Sequence, residues 1–187
     1  ACAALKFVTD VYVLAVDNEC KELLFLLQKG VTSSMRIHAV NLGKSCTTEF
    51  VFTPELEKEI ETSFGAVGRY LYEPDAAIMK SGGFKSVGKQ FNLFKLHRHS
   101  HLYTSDQLLG DFPGRCFEVY ASSHVDKRSI RQQLPAMQAH VSLRNFPGSV
   151  QDFRKKMGLA DGGDDYLFVT TLHDESRVVL YCHKVQM

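Results

Sequence analysis

Three histidines at alternate positions, His97, His99 and His101, form the most metal-like grouping in the sequence. On an extended strand, alternate side chains point to the same side, so the three imidazoles would face one ion. A structural zinc site takes four protein ligands, and no carboxylate or further histidine pair stands at a suitable spacing for the fourth. Surface or partly buried histidines beside a basic segment are the simpler interpretation. The sequence therefore predicts no metal site.

Side chains that could act as nucleophiles lack the surroundings that such chemistry needs. Cys116 or Ser105 could pair with a histidine, but neither stands in a nucleophile elbow or between small turn residues. The glycine patterns of the familiar nucleotide sites are missing, and Gly82-Gly83 is better explained as a helix stop. We therefore predict no catalytic residue and no cofactor-binding residue in this chain. For a small free-standing enzyme, the best candidates would be Tyr72, Glu73, His101 and Asp106.

Basic residues are segregated along a chain whose formal net charge is only +1. The stretch 76–105 holds five lysines and arginines and no acid, and the stretch 127–156 holds seven with one acid, Asp152. Such segregation can make one face positive, and a positive face attracts phosphate backbones. Solvated helix faces balanced by neighbouring acids explain the same pattern equally well. Nucleic-acid contact and a plain solvated surface therefore both stay open.

The segment 70–75 (YLYEPD) places two tyrosines before a proline and two acids around it. Proline in the first turn and acids at the N-terminus favour a helix that starts here. The segment is either a packed helix start or a polar interface with a partner domain or RNA. The candidate interface residues are Tyr70, Tyr72, Glu73 and Asp75.

The elements that must position these residues change in type along the chain. β-branched and aromatic patterns predict strands at 11–16, 35–42 and 47–52. The apolar run 23–27 fits either a capped helix or the second strand of a hairpin. Helices are predicted at 55–64 after the N-cap Thr53, at 74–80, and at 84–91.

The last 75 or so residues follow the order β-α-β-α-β-β. Strands are predicted at 116–121, 140–143, 166–171 and 178–183, and helices at 126–137 and 149–157. This order describes a small sheet with helices on one face.

Five segments are distinctive when taken together: 70–83 (YLYEPDAAIMKSGG), 101–106 (HLYTSD), 112–119 (FPGRCFEV), 144–147 (RNFP) and 161–171 (DGGDDYLFVTT). They resemble the C-terminal part of a bacterial class I S-adenosylmethionine-dependent methyltransferase family that ends in a THUMP-like domain. The similarity runs from about residue 11 to residue 185. The first two segments together carry most of its specificity.

The resemblance implies an α/β (α+β) chain in three parts. Residues 1–52 would be the last strands of a methyltransferase-type sheet, 53–111 a helical connector, and 112–187 a β-α-β-α-β-β THUMP-like domain. This favours the hairpin for 11–27. The cofactor-binding part would lie upstream of Ala1, so S-adenosylmethionine would bind the parent protein and not this fragment. The implied partners are RNA, such as tRNA, and the missing N-terminal methyltransferase domain.

An RNA-binding surface would centre on the C-terminal domain. Arg128 and Arg131 share a face of one predicted helix. Asn145 and Phe146 follow a strand, where the aromatic ring would either stack on a base or pack in the core. The predicted RNA-binding residues are Lys127, Arg128, Arg131, Arg144, Asn145, Phe146, Arg154, Lys155 and Lys156.

We expect this chain to be the non-catalytic, RNA-recognising part of a methyltransferase. A structural or protein-interaction domain and a small enzyme are the alternatives. An uncovered sheet edge in the first 50 or so residues also predicts self-association. No apolar run reaches the roughly 18 residues of a membrane span. The scattered cysteines without a CxxC pair indicate reduced thiols and a cytoplasmic protein; they are Cys2, Cys20, Cys46, Cys116 and Cys182.

Overall fold

The computed structural model of the chain describes residues 5–31, 33–44 and 46–186. Over these residues it has eleven strands and five helices, arranged in two mixed sheets. The predicted α+β class is therefore confirmed. Two units can be separated: one contains the residues up to 62 together with 74–92, and the other contains 63–73 together with the residues from 93 onward.

The first unit is built on a four-stranded sheet in the order β2-β1-β3-β4. Its strands are β1 (Val8–Val16), β2 (Glu19–Leu27), β3 (Arg36–Leu42) and β4 (Thr47–Phe52). β1 and β3 are parallel, whereas β1–β2 and β3–β4 are antiparallel. Asp17 and Asn18 both have positive φ, 48° and 64°, as a tight hairpin turn requires. The run 23–27 is therefore a hairpin strand and not a helix.

Three short helices complete the first unit: α1 (Pro54–Glu59), α2 (Ala76–Ser81) and α3 (Phe84–Gln90). Thr53 caps α1 as predicted, but the helix ends five residues before the predicted position 64 because Ile60 is extended. Pro74 ends a strand instead of starting α2, whose N-cap is Asp75. Gly82 ends α2 with φ 86°, which confirms the predicted helix stop.

The second unit contains a seven-stranded sheet in the order β6-β7-β5-β8-β11-β10-β9. β9 and β10 are parallel, and β10–β11 and β11–β8 are antiparallel. The strands are β5 (Tyr70–Pro74), β6 (Phe94–Lys95), β7 (Tyr103–Ser105), β8 (Gly114–His124), β9 (His140–Arg144), β10 (Asp165–Thr171) and β11 (Arg177–Lys184). β5, β6 and β7 were not predicted from the sequence.

The two helices of the second unit are α4 (Lys127–Gln133) and α5 (Val150–Met157). α4 is shorter than the predicted 126–137 because Pro135 disfavours a helical conformation at Leu134, where φ is −128° and ψ is 78°. Ile130 of α4 and Phe153 of α5 belong to one buried cluster with residues of β9, β10 and β11. Leu71, Leu102 and Phe117 belong to a separate cluster, with Phe168 and Leu180 of the same sheet. Both helices therefore cover the same sheet face, as the β-α-β-α-β-β order predicts.

Four exposed leucines make β2 the most apolar uncovered strand of the first unit. β2 lies at one end of the strand order, so β1 is its neighbour within the described sheet. The β2 leucines, each between 47% and 51% exposed, are Leu23, Leu24, Leu26 and Leu27. Self-association through this edge stays a prediction.

The buried thiols have the inert surroundings expected from their predicted strands. Cys116 and Cys182 are fully buried, and burial raises the pKa of both thiols. Cys46 is exposed, and Cys2 lies outside the described residues. Among the described helices, none has the length and apolar character that a membrane crossing requires.

Candidate nucleic-acid interface

The loop after β9 is held in place by hydrogen bonds on two sides. Asn145 adopts a positive φ of 51°, a conformation that asparagine tolerates better than most residues. Its side-chain amide lies 2.8 Å from His97 Nδ1, and its carbonyl oxygen accepts a hydrogen bond of 2.7 Å from Thr171 Oγ1. The predicted site residues Asn145 and Phe146 are thus fixed in position by neighbouring elements.

Phe146 packs in the core and also presents part of its ring to the surface, so it can serve both of the roles that the sequence left open. Its ring packs edge-on against Phe153, with the ring centroids 5.9 Å apart and the planes at 87°. The guanidinium of Arg177 lies 5.7 Å from the centroid of the same ring. The side chain is half-buried and lines two surface cavities. It is therefore anchored in the core cluster and also available to a ligand.

Two neighbouring cavities share Phe146, Pro147 and Arg177 as lining residues. The first, the Phe146 pocket, has a volume of about 480 Å³ and is also lined by Phe153 and by residues at both ends of α5. The second, the His97 groove, has a volume of about 900 Å³ and is also lined by residues of the turn 97–99. Both volumes fall in the range of about 300–1,000 Å³ that is typical of ligand sites.

His97 is buried and lines the groove, and both nitrogens of its ring form hydrogen bonds. Nδ1 accepts a hydrogen bond of 3.1 Å from the backbone N–H of His99 and also contacts Asn145. Because Nδ1 is an acceptor, the ring proton lies on Nε2, which is 3.2 Å from a carboxylate oxygen of Glu175. The hydrogen bonds thus fix both the tautomer and the orientation of this imidazole.

The three histidines do not project from one strand, because residues 98–100 form a turn. His101 has a positive φ of 52°, which redirects its side chain. Burial lowers the pKa of His101 to about 4, and the nearby charge of Lys95 acts in the same direction. Within the part of the chain that the structure describes, no group of three or more histidine, cysteine or acidic residues could hold a metal ion.

The outer sides of α4 and α5 carry exposed cations, and one of those on α4 lies close to the end of α5. A Cβ placed on Gly158, at the end of α5, would lie 3.1 Å from Lys127 Nζ at the start of α4. Five of the predicted RNA-binding residues form no ion pair with any of the described residues. These exposed residues, the α4–α5 cations, are Lys127, Arg128, Arg131, Lys155 and Lys156.

Two other predicted RNA-binding residues form ion pairs within the second unit. Arg154 pairs with Asp161 and donates to the carbonyl oxygen of Ala139. Arg144 Nε donates to Glu73 at 2.9 Å. Arg144 is thus paired with a buried carboxylate, and its contact with RNA stays a prediction.

Most of the predicted interface segment 70–75 is buried inside the chain. The Tyr72 hydroxyl donates to the carbonyl oxygen of Gln107 at 2.7 Å, and burial raises its pKa to about 12. Glu73 is 2% exposed, and Asp75 is 4% exposed and caps α2. Tyr70 is half-buried. An interface with a partner at this segment would therefore use Tyr70 and not the other three.

Among the cavity-lining residues that sequence reasoning did not assign to the RNA-binding site are His97 and Arg98 of the groove, and Arg177, which is shared by both cavities. Arg98 lies in a basic stretch, and this was a usable signal. Arg177 stands alone at the start of β11, and no local pattern distinguishes it from other surface arginines.

Two models of known domain families match consecutive parts of the chain. Residues 114–184 match a family model described as THUMP domain-like. Residues 70–113 match a second family model, described as a ferredoxin-like domain. The RNFP loop, α4 and α5 all lie within the THUMP-like match.

A solved structure resembles nearly the whole chain. It is the crystal structure of a "putative methyltransferase from Porphyromonas gingivalis W83", with 35% sequence identity and a TM-score of 0.92. The similarity covers 98% of this chain and 47% of that protein, so this chain spans about half of its relative's length. No curated protein matches the chain.

The polar groups at the carboxyl ends of β1 and β3 are engaged in hydrogen bonds within the chain. Ligands of doubly wound sheets bind at this end of parallel strands. Here the Asp17 N–H donates to the Leu42 carbonyl oxygen at 3.0 Å, and the Asn18 N–H donates to Asn41 Oδ1 at 2.9 Å. Asp17 Oδ1 also accepts from the Lys44 N–H at 3.2 Å. Within the described residues, these polar groups close turns.

Proposed function

We propose that this chain is the RNA-recognising part of an S-adenosylmethionine-dependent methyltransferase. The cofactor and the methyl-transfer chemistry belong to the part of the parent protein that this chain does not contain, and tRNA is the substrate class that we propose. The THUMP-like match at 114–184 and the similarity to a protein described as a putative methyltransferase support this role.

The observation that carries the proposal is that all the α4–α5 cations lie on the two helices that cover one sheet face. α4 and α5 cover one sheet face, and Lys127 lies over the end of α5. The cations lie within the THUMP-like match and point away from the buried cluster. Exposed cations that are not held by carboxylates can replace the counterions of a phosphate backbone.

A salt series on tRNA binding tests the proposal. The variant carries Arg128→Gln, Arg131→Gln and Lys155→Gln, which removes three exposed charges and leaves the Arg144–Glu73 ion pair intact. We expect about tenfold or greater weakening at roughly 100 mM salt. The slope of log K against log salt should also fall by about two or three, since each lost phosphate contact removes roughly 0.7–0.9.

The matched control removes three exposed lysines of the first unit: Lys29→Gln, Lys58→Gln and Lys89→Gln. It has the same net charge as the test variant, and we expect near-normal affinity. Equal weakening by both variants would indicate non-specific attraction. Unchanged affinity in the test variant would favour a structural or protein-interaction domain.

A further inference from the structure

The Phe146 pocket has the chemistry of a nucleotide site. Its inner wall is apolar and includes Val125, Phe153 and Met157, while the side chains of Lys156 and Arg177 supply positive charge. The Phe146 ring completes this wall with an aromatic surface. Aromatic side chains next to basic residues are the combination by which single-stranded nucleic acids are held, because the base stacks and the phosphate is neutralised.

The His97 groove continues this site with a more polar lining. Arg98, His99 and Thr171 line it together with the three residues that it shares with the Phe146 pocket. Its acidic residue, Glu175, lies 3.2 Å from His97 Nε2. Groups that donate and accept hydrogen bonds therefore surround a space large enough for a second nucleotide.

The charge balance of the two cavities favours an anionic ligand. In the described parts of the chain, no carboxylate lies within ion-pair distance of Arg98, Lys156 or Arg177. The acid in the pocket, Asp152, accepts a hydrogen bond of 2.6 Å from Ser149 Oγ at the start of α5. The three cations outnumber the two acids, so the combined lining of the two cavities carries one net positive charge.

We propose that the two cavities bind consecutive nucleotides of a single-stranded RNA segment, one on each side of the wall formed by Phe146 and Arg177. The inference rests on the proposed function and specifies which structural class of RNA is recognised. A base enters either cavity only when it is unpaired, because bases in a duplex are stacked on their neighbours. The other four α4–α5 cations then contact the backbone beyond these two nucleotides; they are Lys127, Arg128, Arg131 and Lys155.

Fluorescence anisotropy with labelled hexauridylate and hexaadenylate, and with a 12-base-pair RNA duplex, tests the inference. Phe146→Leu keeps an apolar side chain against Phe153 and removes the stacking surface. Arg177→Gln changes an exposed residue and provides a second, independent variant. We expect each to weaken hexanucleotide binding about 5- to 100-fold, the range for loss of one stacked base or its cation. Lys29→Gln with Lys89→Gln is the control, and circular dichroism verifies the fold of every variant.

The outcomes separate this inference from the proposed function. If the two cavity variants bind the hexanucleotides normally while the α4–α5 variant loses tRNA, the cavities are not nucleotide sites and RNA recognition stands. If the duplex binds more tightly than the single strands, the single-strand assignment is overturned. If the unaltered chain binds neither tRNA nor a hexanucleotide, both proposals fail.

Discussion

Replacing both arginine partners of Glu73 together should destabilise the second unit, because the buried Glu73 carboxylate would then have no cation beside it. Glu73 lies on β5, and its side chain is only 3% exposed. Arg115 Nε of β8 and Arg144 Nε of β9 each donate to it at 2.9 Å. The two arginine side chains are 38% and 36% exposed, so they can be hydrated when the carboxylate is removed, whereas the carboxylate cannot.

Because the arginines can be hydrated and the carboxylate cannot, the loss of stability depends on which partner is removed. Arg115→Gln or Arg144→Gln alone leaves one guanidinium on Glu73, and we expect each to cost about 1–2 kcal/mol. The two together leave a buried carboxylate without a cation, which costs about 3–5 kcal/mol. Adding Glu73→Gln removes that stranded charge. The triple variant should therefore be more stable than the double by about 1–3 kcal/mol, although it carries more substitutions.

Urea unfolding followed by far-ultraviolet circular dichroism is the suitable assay, because the chain contains no tryptophan for fluorescence. Each kcal/mol should also change the melting temperature by about 2–4 °C in a chain of this size. Arg69→Gln is the control, since its ion pair with Glu118 is between side chains that are 63% and 42% exposed. A triple variant no more stable than the double would refute the argument that Glu73 is the dehydrated partner.

Three further predictions concern a buried histidine, a tightly packed glycine and the β2 edge. Burial lowers the pKa of His101 from its ordinary 6.5 to about 4. Between these two pH values the imidazole is protonated in the unfolded chain but not in the folded chain, so the free energy of unfolding falls as the pH falls. His101→Gln should reduce this loss in urea titrations between about pH 7 and 4.5, and the exposed His124→Gln should not; parallel pH profiles would contradict the assignment. Gly83→Ala should cost about 1–3 kcal/mol because its Cβ would lie 2.7 Å from the Phe52 ring, whereas Gly110→Ala, with no atom within 4 Å, should unfold at the normal urea concentration. Replacing two of the β2 leucines by lysine should lower the mass-average molecular weight in sedimentation equilibrium; a chain that is already monomeric at high concentration would disprove association through this edge.

Local chemistry in the sequence determined most of the regular structure. Alternating β-branched and aromatic residues predicted β1, β3, β4, β8, β9, β10 and β11, and the N-cap Thr53 marked the start of α1 correctly. These signals succeed because capping and side-chain alternation depend on residues a few positions apart. β6 and β7 escaped prediction because they are two and three residues long and are defined by pairing with distant strands.

The candidate site, too, was partly predictable from local sequence and partly decided by tertiary contacts. Asn145, Phe146 and the α4–α5 cations were recognisable from residue type and helical spacing. The tertiary structure alone decided that Arg177 lies over the Phe146 ring and that His97 holds the loop after β9. It also decided that Arg144 pairs with Glu73, 71 positions away, and is not a free cation. Whether a charged side chain is free or paired depends on which strands the sheet brings together, and a sequence pattern of local period carries no information about such distant neighbours.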